Sequence, residues 1–255
     1  MISTAAVLLI NLLVFWTRHA VFAAVAFAGH RLGLWRRIQP GAASRSQILR
    51  EIASSAVSAA VFVVAMALLL AAAARGHTRI YRDIATYGVT WFFASIACCV
   101  LVHDAYFYWT HRLMHERRAF RNAHRLHHTF TSPTPWFAFS FHPGEALIEA
   151  GVLPLIAWTI PVHPLALFLF TSIMTAQSVA IHSGLALSPV APSTALRGGW
   201  WLGSRAHDAH HRGARGNFGL YFTLWDLSMG TYSARETLAP QPRTVERPET
   251  VESHG

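Results

Sequence analysis

The sequence lacks lysine altogether and carries little charge: charged residues make up 13% of its 255 residues, while hydrophobic residues make up 53%. Soluble domains average about 25% charged residues, so this composition argues against a freely soluble enzyme. The 21 basic residues are all arginine and outnumber the 12 acidic ones, which gives a net charge of +9. A basic excess is typical of proteins that bind nucleic acid or a membrane surface. We expect a membrane and no nucleic acid, because a nucleic-acid module has no use for long apolar segments.

Cysteine and the common cofactor motifs are also scarce. The two cysteines, Cys98 and Cys99, are adjacent within an apolar run, so they predict small hydrophobic side chains and no disulfide framework. The chain has no phosphate loop, no Gly-x-Gly-x-x-Gly motif and no signature of haem, flavin or an iron–sulfur cluster. It also lacks His-Glu-x-x-His and Glu-x-x-His pairs. These absences exclude a nucleotide-dependent reaction of the familiar types and disfavour both the common zinc protease site and a carboxylate-bridged di-iron bundle.

What the chain does have is apolar segments long enough to cross a membrane, which takes about 20 residues as a helix. Residues 5–29, 52–74 and 84–108 predict three spans. Arg18 and His19 interrupt the first, which lacks a basic leader and a cleavage site, so we expect a retained span and not a signal peptide. Residues 146–181 form two shorter apolar halves separated at Pro161 and Pro164. We expect these halves to form a re-entrant hairpin or two tilted helices, because each is short for a span.

The arginines predict an orientation for these spans. Five lie between the first two predicted spans, from Arg31 to Arg50, and three lie between the second and third, from Arg75 to Arg82. By the positive-inside rule, the first connection is cytoplasmic and the amino terminus lies outside. The segment that follows the third span then begins in the cytoplasm. If the source is bacterial, the membrane would be the cell membrane.

Three regions are expected along the chain. Residues 1–83 hold the first two spans and the cytoplasmic connection between them, and residues 84–233 hold a catalytic domain. Residues 234–255 are rich in Pro, Glu, Arg and Thr, so they predict a disordered tail.

Histidine is abundant, with 16 residues, although charged residues and cofactor motifs are scarce. Eight of them form three clusters with spacings of three or four residues, which place imidazoles on one face of a helix. They are His111, His115, His124, His127, His128, His207, His210 and His211. Eight imidazoles exceed the four ligands of one structural zinc, so the count predicts two metals, or one metal with spare coordination. Imidazole suits iron and zinc alike, and the missing His-Glu-x-x-His motif favours iron.

Asp104 and Tyr108 share a predicted helical stripe with His111 and His115, at about 100° of rotation per residue. A carboxylate there can accept a hydrogen bond from the second ring nitrogen of a metal-bound histidine. We treat Asp104 and Tyr108 as candidate supporting residues of the site. The alternative interpretation for Asp104 is an ordinary polar residue at a helix end.

Aromatic residues surround the first two clusters and have two interpretations. They can line a lipid tunnel or form the aromatic belt that is common at membrane interfaces. The residues are Tyr108, Trp109, Trp136, Phe137, Phe139 and Phe141.

Three segments together resemble a known family: HDAYFYWTHRLMH, HRLHH, and HDAHH followed by NFGLYFTLWDLSMGT. Their order and spacing are similar to the boxes H-x-x-x-H, H-x-x-H-H and H-x-x-H-H of the membrane-bound fatty acid hydroxylase and sterol desaturase superfamily. The resemblance covers residues 84–232. It implies that His182, in AIHSGL, is a further metal ligand, and that His142, in FHPGEA, is at most a supporting residue.

The resemblance also implies a function. It predicts two iron ions in a non-haem di-iron centre that uses O2 as co-substrate to hydroxylate or desaturate a lipid. Sterols, fatty acyl chains, sphingoid bases, carotenoids and ether lipids are all compatible. Electrons must come from an external donor of ferredoxin or cytochrome type with its reductase. The expected architecture is an all-α, multi-pass transmembrane helical bundle with a cytoplasmic histidine-rich cap.

Two alternatives from other classes stay open. The first is a membrane metal-binding or transport protein, which would place ionisable ligands at mid-bilayer depth on the spans. The second is a zinc-dependent membrane hydrolase.

Overall fold

The computed structural model describes residues 3–39, 41–130, 132–187, 200–213 and 216–233. Within these ranges the chain forms helices and turns, with three isolated backbone bridges and no β-strand. The predicted all-α class is therefore confirmed for the described residues. The expected disordered tail, 234–255, lies outside them.

Three long helices correspond to the three predicted spans: α1, Thr4–Arg31; α2, Arg45–Ala74; and α3, Gly88–Met114. Each is long and apolar enough to cross a membrane, which confirms these predictions. Serine hydroxyls determine where the first two begin. Ser3 accepts a hydrogen bond from the Ala6 amide, and Ser44 accepts one from Gln47. Such caps satisfy amides that have no partner inside the helix.

The segment predicted as a re-entrant hairpin or two tilted helices forms three helices instead: α4, Pro143–Ala150; α5, Val152–Thr159; and α6, Pro164–His182. The 19 residues of α6 are long and apolar enough to span, so the expectation that both halves are too short was wrong for the second half. The reason is local. The His163 side chain caps the helix, Pro164 occupies its first turn, and the helix then continues without interruption to His182.

The connections between helices define two ends of the bundle. The amide of Arg79, between α2 and α3, donates to the Ala157 carbonyl in α5, and that of Tyr81 donates to Val162, just before α6. At the opposite end, the amide of Ile38, between α1 and α2, donates to the carbonyl of Gly184, just after α6. We call the end that holds Ile38 the site end and the other the far end. The arginine-rich first connection and the carboxyl ends of α3 and α6 therefore share the site end.

A cap covers the site end. It comprises the short helical turns 117–124, 127–129 and 135–139, together with α7, Ser204–Gly213, and α8, Leu224–Ser228. Small polar groups attach it to the long helices. The Ser55 hydroxyl of α2 donates to the Trp136 carbonyl at 2.9 Å, and the Ser140 hydroxyl donates to the Glu51 carbonyl at 2.8 Å. These contacts hold the cap directly over the open end of the bundle.

Candidate metal centre

Nine buried or half-buried histidines gather in two groups where the cap meets the carboxyl ends of α3 and α6. Within each group, one ring nitrogen of every histidine lies within 4.8 Å of the others. The first group is His111, His115, His124, His128 and His210. The second group is His127, His182, His207 and His211. Every histidine singled out from the sequence as a ligand lies in one of these two groups.

Helical geometry explains how one cluster contributes to both groups. Residues four apart on a helix differ by only about 40° in direction, whereas neighbours differ by about 100°. In α7, His207 and His211 accordingly share the second group, while His210 points into the first. The end of α3 supplies His111 to the first group, and the end of α6 supplies His182 to the second.

Backbone carbonyls determine which ring nitrogen carries the proton. Nδ1 of His111 lies 2.9 Å from the Phe218 oxygen, Nδ1 of His182 lies 2.9 Å from that of Ser178, and Nδ1 of His210 lies 2.7 Å from that of Gly216. In the second cluster, Nδ1 of His127 faces the Ser140 oxygen at 3.4 Å. A carbonyl oxygen only accepts hydrogen bonds, so Nδ1 must donate in each ring. Nε2 is then left as an acceptor with a free lone pair.

These Nε2 atoms face one another. Nε2 of His127 lies 3.1 Å from that of His182, and Nε2 of His111 lies 3.1 Å from that of His124. Two acceptor nitrogens cannot form a hydrogen bond with each other, so their close approach is unfavourable without a cation between them. Nε2 of His115 and of His210 are buried, and neither has a hydrogen-bond partner. The donor set therefore fits a metal ion in each group.

The protonation state of the rings agrees with this fit. Burial lowers the pKa of His115 to about 3, with a further contribution from His128, and lowers the pKa of His128 to about 4. Burial also lowers the pKa of His210 well below its usual range. The rings are thus neutral near pH 7, which is the form that binds metals.

Glu145 is a supporting residue that the sequence analysis missed. Its Oε1 lies 2.9 Å from Nδ1 of His124, and both side chains are buried. A carboxylate in this position fixes the ring and increases its basicity toward a metal. His142, noted in the same motif, is exposed and its Nδ1 accepts from the Gly144 amide at the start of α4. The informative signal in FHPGEA was thus the glutamate.

Asp104 is buried, and the hydrogen bonds described for it are with backbone amides and not with a ligand ring. We expected its carboxylate to accept from the ring of a ligand histidine. Instead its Oδ1 accepts from the amides of Tyr221, at 3.0 Å, and Phe222, at 3.1 Å. Asp104 lies about 10 Å from His111 along α3, at 1.5 Å per residue, and that distance places it beside the 220–222 segment and not beside the imidazoles.

Tyr108 likewise contacts a supporting network and no ligand ring. Its hydroxyl lies 3.0 Å from that of Thr231 and accepts from Arg112 at 3.1 Å. The Thr231 hydroxyl donates in turn to Asp226, at 2.7 Å. Asp226 also accepts from the Phe218 amide, at 2.9 Å. Because the Phe218 carbonyl binds His111, this network holds in place the loop that orients a ligand candidate.

Two adjoining apolar cavities lie beneath the second group. The inner one, of about 40 Å³, is lined by His182 and Phe141. The outer one, of about 230 Å³, lies among α1, α2 and α6. Four residues line both: Phe62, Phe139, Leu153 and Met174. Of the aromatic residues considered as tunnel lining, Phe139 lines both cavities and Phe141 lines the inner one, which also reaches His182.

Comparison with known proteins places this geometry in a family. Residues 96–231 match the fatty acid hydroxylase family, a stretch that includes all nine histidines. The chain belongs to the fatty acid hydroxylase family. No solved structure matches it.

Curated relatives of this family member are sterol-modifying enzymes. The Delta(7)-sterol 5(6)-desaturase ERG3B of Gibberella zeae is 29% identical over 195 residues, which cover 74% of this chain and 57% of the relative. The lathosterol oxidase of Mus musculus is 26% identical over 190 residues, which cover 74% and 62%. Methylsterol monooxygenase 1 of Danio rerio is 32% identical over 145 residues, which cover 56% and 49%. The matched region thus spans about half to three fifths of the length of these relatives.

Proposed function

We propose that this protein is an integral-membrane non-haem di-iron oxidoreductase that hydroxylates or desaturates a lipid with O2 and external electrons. The substrate class follows from the relatives, which are named as enzymes acting on sterols. Sterols and other long apolar lipids share the property that they enter an apolar cavity directly from a bilayer. We leave the choice between hydroxylation and desaturation open, because the relatives include both a monooxygenase and desaturases.

The observation that carries the proposal is the convergence of ring nitrogens next to an apolar cavity. Nε2 of His182 faces Nε2 of both His127 and His207, at 3.1 and 2.8 Å, and His182 also lines the inner cavity. A metal held there would contact a lipid without intervening bulk water. A metal centre that contacts a lipid away from bulk water is suited to the oxidation of an unactivated C–H bond.

Iron bound by the two groups would supply the O2 chemistry. The chain's own residues hold, orient and shield it. Backbone carbonyls such as that of Phe218 fix the imidazole tautomers, and Glu145 increases the basicity of His124. Phe139 and Phe141 line the inner cavity, which excludes water from the reacting region.

The proposed partners follow from what the chain lacks. It has no redox motif of its own, so we propose that a ferredoxin or cytochrome with its reductase delivers electrons. The arginine-rich connection between α1 and α2 lies at the site end, near the proposed irons. If the positive-inside rule holds, this end is cytoplasmic and presents a basic surface to an acidic electron carrier.

Two other functions are less consistent with the geometry. A transporter would place its ligands midway along the spans, whereas His111 and His182 lie at the carboxyl ends of α3 and α6. A zinc hydrolase needs a general base beside a metal-bound water. Glu145, whose Oε1 lies 2.9 Å from Nδ1 of His124, is already engaged with that ring.

One experiment distinguishes the three functions. The chain is purified in detergent, its bound metals are measured, and O2 consumption is followed with sterol or acyl lipid and a chemical or protein reductant. We expect iron to be bound and lipid-dependent O2 consumption to yield an oxidised or desaturated product. Stoichiometric zinc, or iron without any lipid-dependent O2 consumption, would contradict the proposal.

A further inference from the structure

Arg18 is a charged residue near the middle of α1, inside the apolar part of the bundle. Its Nη1 donates to the Thr171 hydroxyl of α6 at 2.7 Å, and its Nε is buried without a partner. No acidic side chain pairs with it among the described residues. Thr171 lies seven residues into α6, about 10 Å from the far end. An unpaired charge at this depth is costly in a membrane and is a functional candidate by default.

Arg18 lines the outer cavity, the larger of the two beneath the histidines. Apolar side chains dominate the rest of its described lining, with Asn11 and Thr171 as the other polar contributors. The cavity thus combines one cationic group with an extended apolar surface. That combination complements an amphiphile that has a negatively charged head and a hydrocarbon body.

Arginine is suited to such a head, because its planar guanidinium binds a carboxylate with two parallel hydrogen bonds. In Arg18 the unpartnered Nε and the terminal nitrogens provide donors for that geometry. An acidic lipid would supply both the missing counter-charge and the missing acceptor.

We propose that Arg18 binds the carboxylate of a long-chain lipid whose hydrocarbon body passes through the outer and inner cavities toward His182. This inference rests on the proposed function, since it assigns the head-group contact of that lipid. Thr171 orients the guanidinium.

The geometry also separates the head from the reacting carbon. Thr171 precedes His182 by eleven residues in the same helix, which corresponds to about 16 Å. A lipid held at Arg18 therefore presents to the histidines a carbon far along its chain. Four residues, Phe62, Phe139, Leu153 and Met174, line both cavities and lie where the two adjoin.

The test measures binding without turnover. Radiolabelled palmitate is equilibrated with the purified full chain in detergent, without reductant, and unlabelled palmitate, methyl palmitate and cholesterol compete for it. We expect palmitate to compete at least about tenfold better than its methyl ester, the effect of losing one charge-assisted hydrogen bond. In Arg18→Leu this preference should disappear, and in Arg18→Lys it should be intermediate, because lysine keeps the charge without the planar fork.

Arg31→Leu, at the exposed end of the same helix, is the matched control and should keep the preference. Unchanged metal content and unchanged elution in size-exclusion chromatography would show that the Arg18 variants fold. Equal competition by palmitate and its ester in the unmodified chain, or a preference that survives Arg18→Leu, would overturn the inference. So would Arg18-dependent binding of cholesterol without binding of palmitate. Since no oxidation is measured, these outcomes are independent of whether the protein proves to be an iron oxidase.

Discussion

Nε2 of His127 and Nε2 of His182 lie 3.1 Å apart, while Nδ1 of each ring faces a backbone carbonyl, that of Ser140 or Ser178. The two carbonyls make both Nε2 atoms acceptors, so the pair is complementary to a cation and not to itself. A similar pair occurs in the first group, where Nε2 of His124 lies 3.1 Å from that of His128, while Nδ1 of His124 faces Oε1 of Glu145.

Glu145 and Glu149 offer a matched pair on α4, one turn apart. Glu145→Gln should weaken metal binding by the first group about 10 to 100-fold, because the amide cannot increase the basicity of His124 as a carboxylate does. Glu149→Gln should leave metal affinity unchanged, since Glu149 lines the inner cavity and contacts no ligand ring among the described residues. Competition with a chelator of known affinity measures both variants. Equal losses in the two would contradict the assigned role of Glu145.

Asp226 should act on the metal through the backbone. It accepts hydrogen bonds from the amides of Phe218 and Gly219, and the Phe218 carbonyl orients His111. Asp226→Ala should free this loop and lower metal affinity within the same range of about 10 to 100-fold. Asp83→Ala is the control, because Asp83 caps an exposed turn at the far end. Metal affinity that stays unchanged in Asp226→Ala would show that the loop does not need this acid.

Asp104 should matter for stability more than for the metal. Asp104→Asn keeps the oxygen that accepts from Tyr221 and Phe222, so its metal content should match that of the unmodified chain. Asp104→Leu removes the acceptor and leaves buried amides unpaired, which costs about 1–3 kcal/mol for each group. Thermal unfolding and metal analysis of both variants check this. A loss of metal in Asp104→Asn would restore the direct role that we first expected.

The arrangement of the helices predicts which connections between them lie on the same side of the membrane. In a chain with Cys98 and Cys99 replaced by serine, single cysteines at Ser44 and Ser132 should react with an impermeant reagent from the same side. A cysteine at His77, at the far end, should react from the opposite side. The positive-inside rule adds that the shared side is cytoplasmic. Reaction of the Ser44 and Ser132 positions from opposite sides would refute the arrangement of spans.

Much of this fold is readable from the sequence, because the long helices are determined by local hydropathy. The three first spans are predicted from their apolar length, and the boundary before α6 from Pro161 and Pro164. The expectation for α6 was too short because the helix begins at Pro164 and continues without interruption to His182. About half of its apolar window is buried in the bundle.

The histidines were found from the sequence because their spacing is local, but their division into two groups was not predicted. His210 and His211 are adjacent in the chain but belong to different groups. Histidines that are four residues apart belong to the same group, because a helix directs such side chains the same way. The supporting contacts of Glu145 and Asp226 could not be read in advance. Each joins segments whose proximity depends on the packing of the cap against the bundle.

The most direct test of the central claim is the metal content of His127→Ala compared with that of His142→Ala. Both variants are purified alongside the unmodified chain, and bound iron is measured by elemental mass spectrometry. His127 faces His182 in the second group, whereas His142 is an exposed helix cap. We predict that His127→Ala loses the iron of the second group, keeps much of that of the first and oxidises no lipid, while His142→Ala retains all its iron. Full iron content and lipid oxidation in His127→Ala would contradict the account.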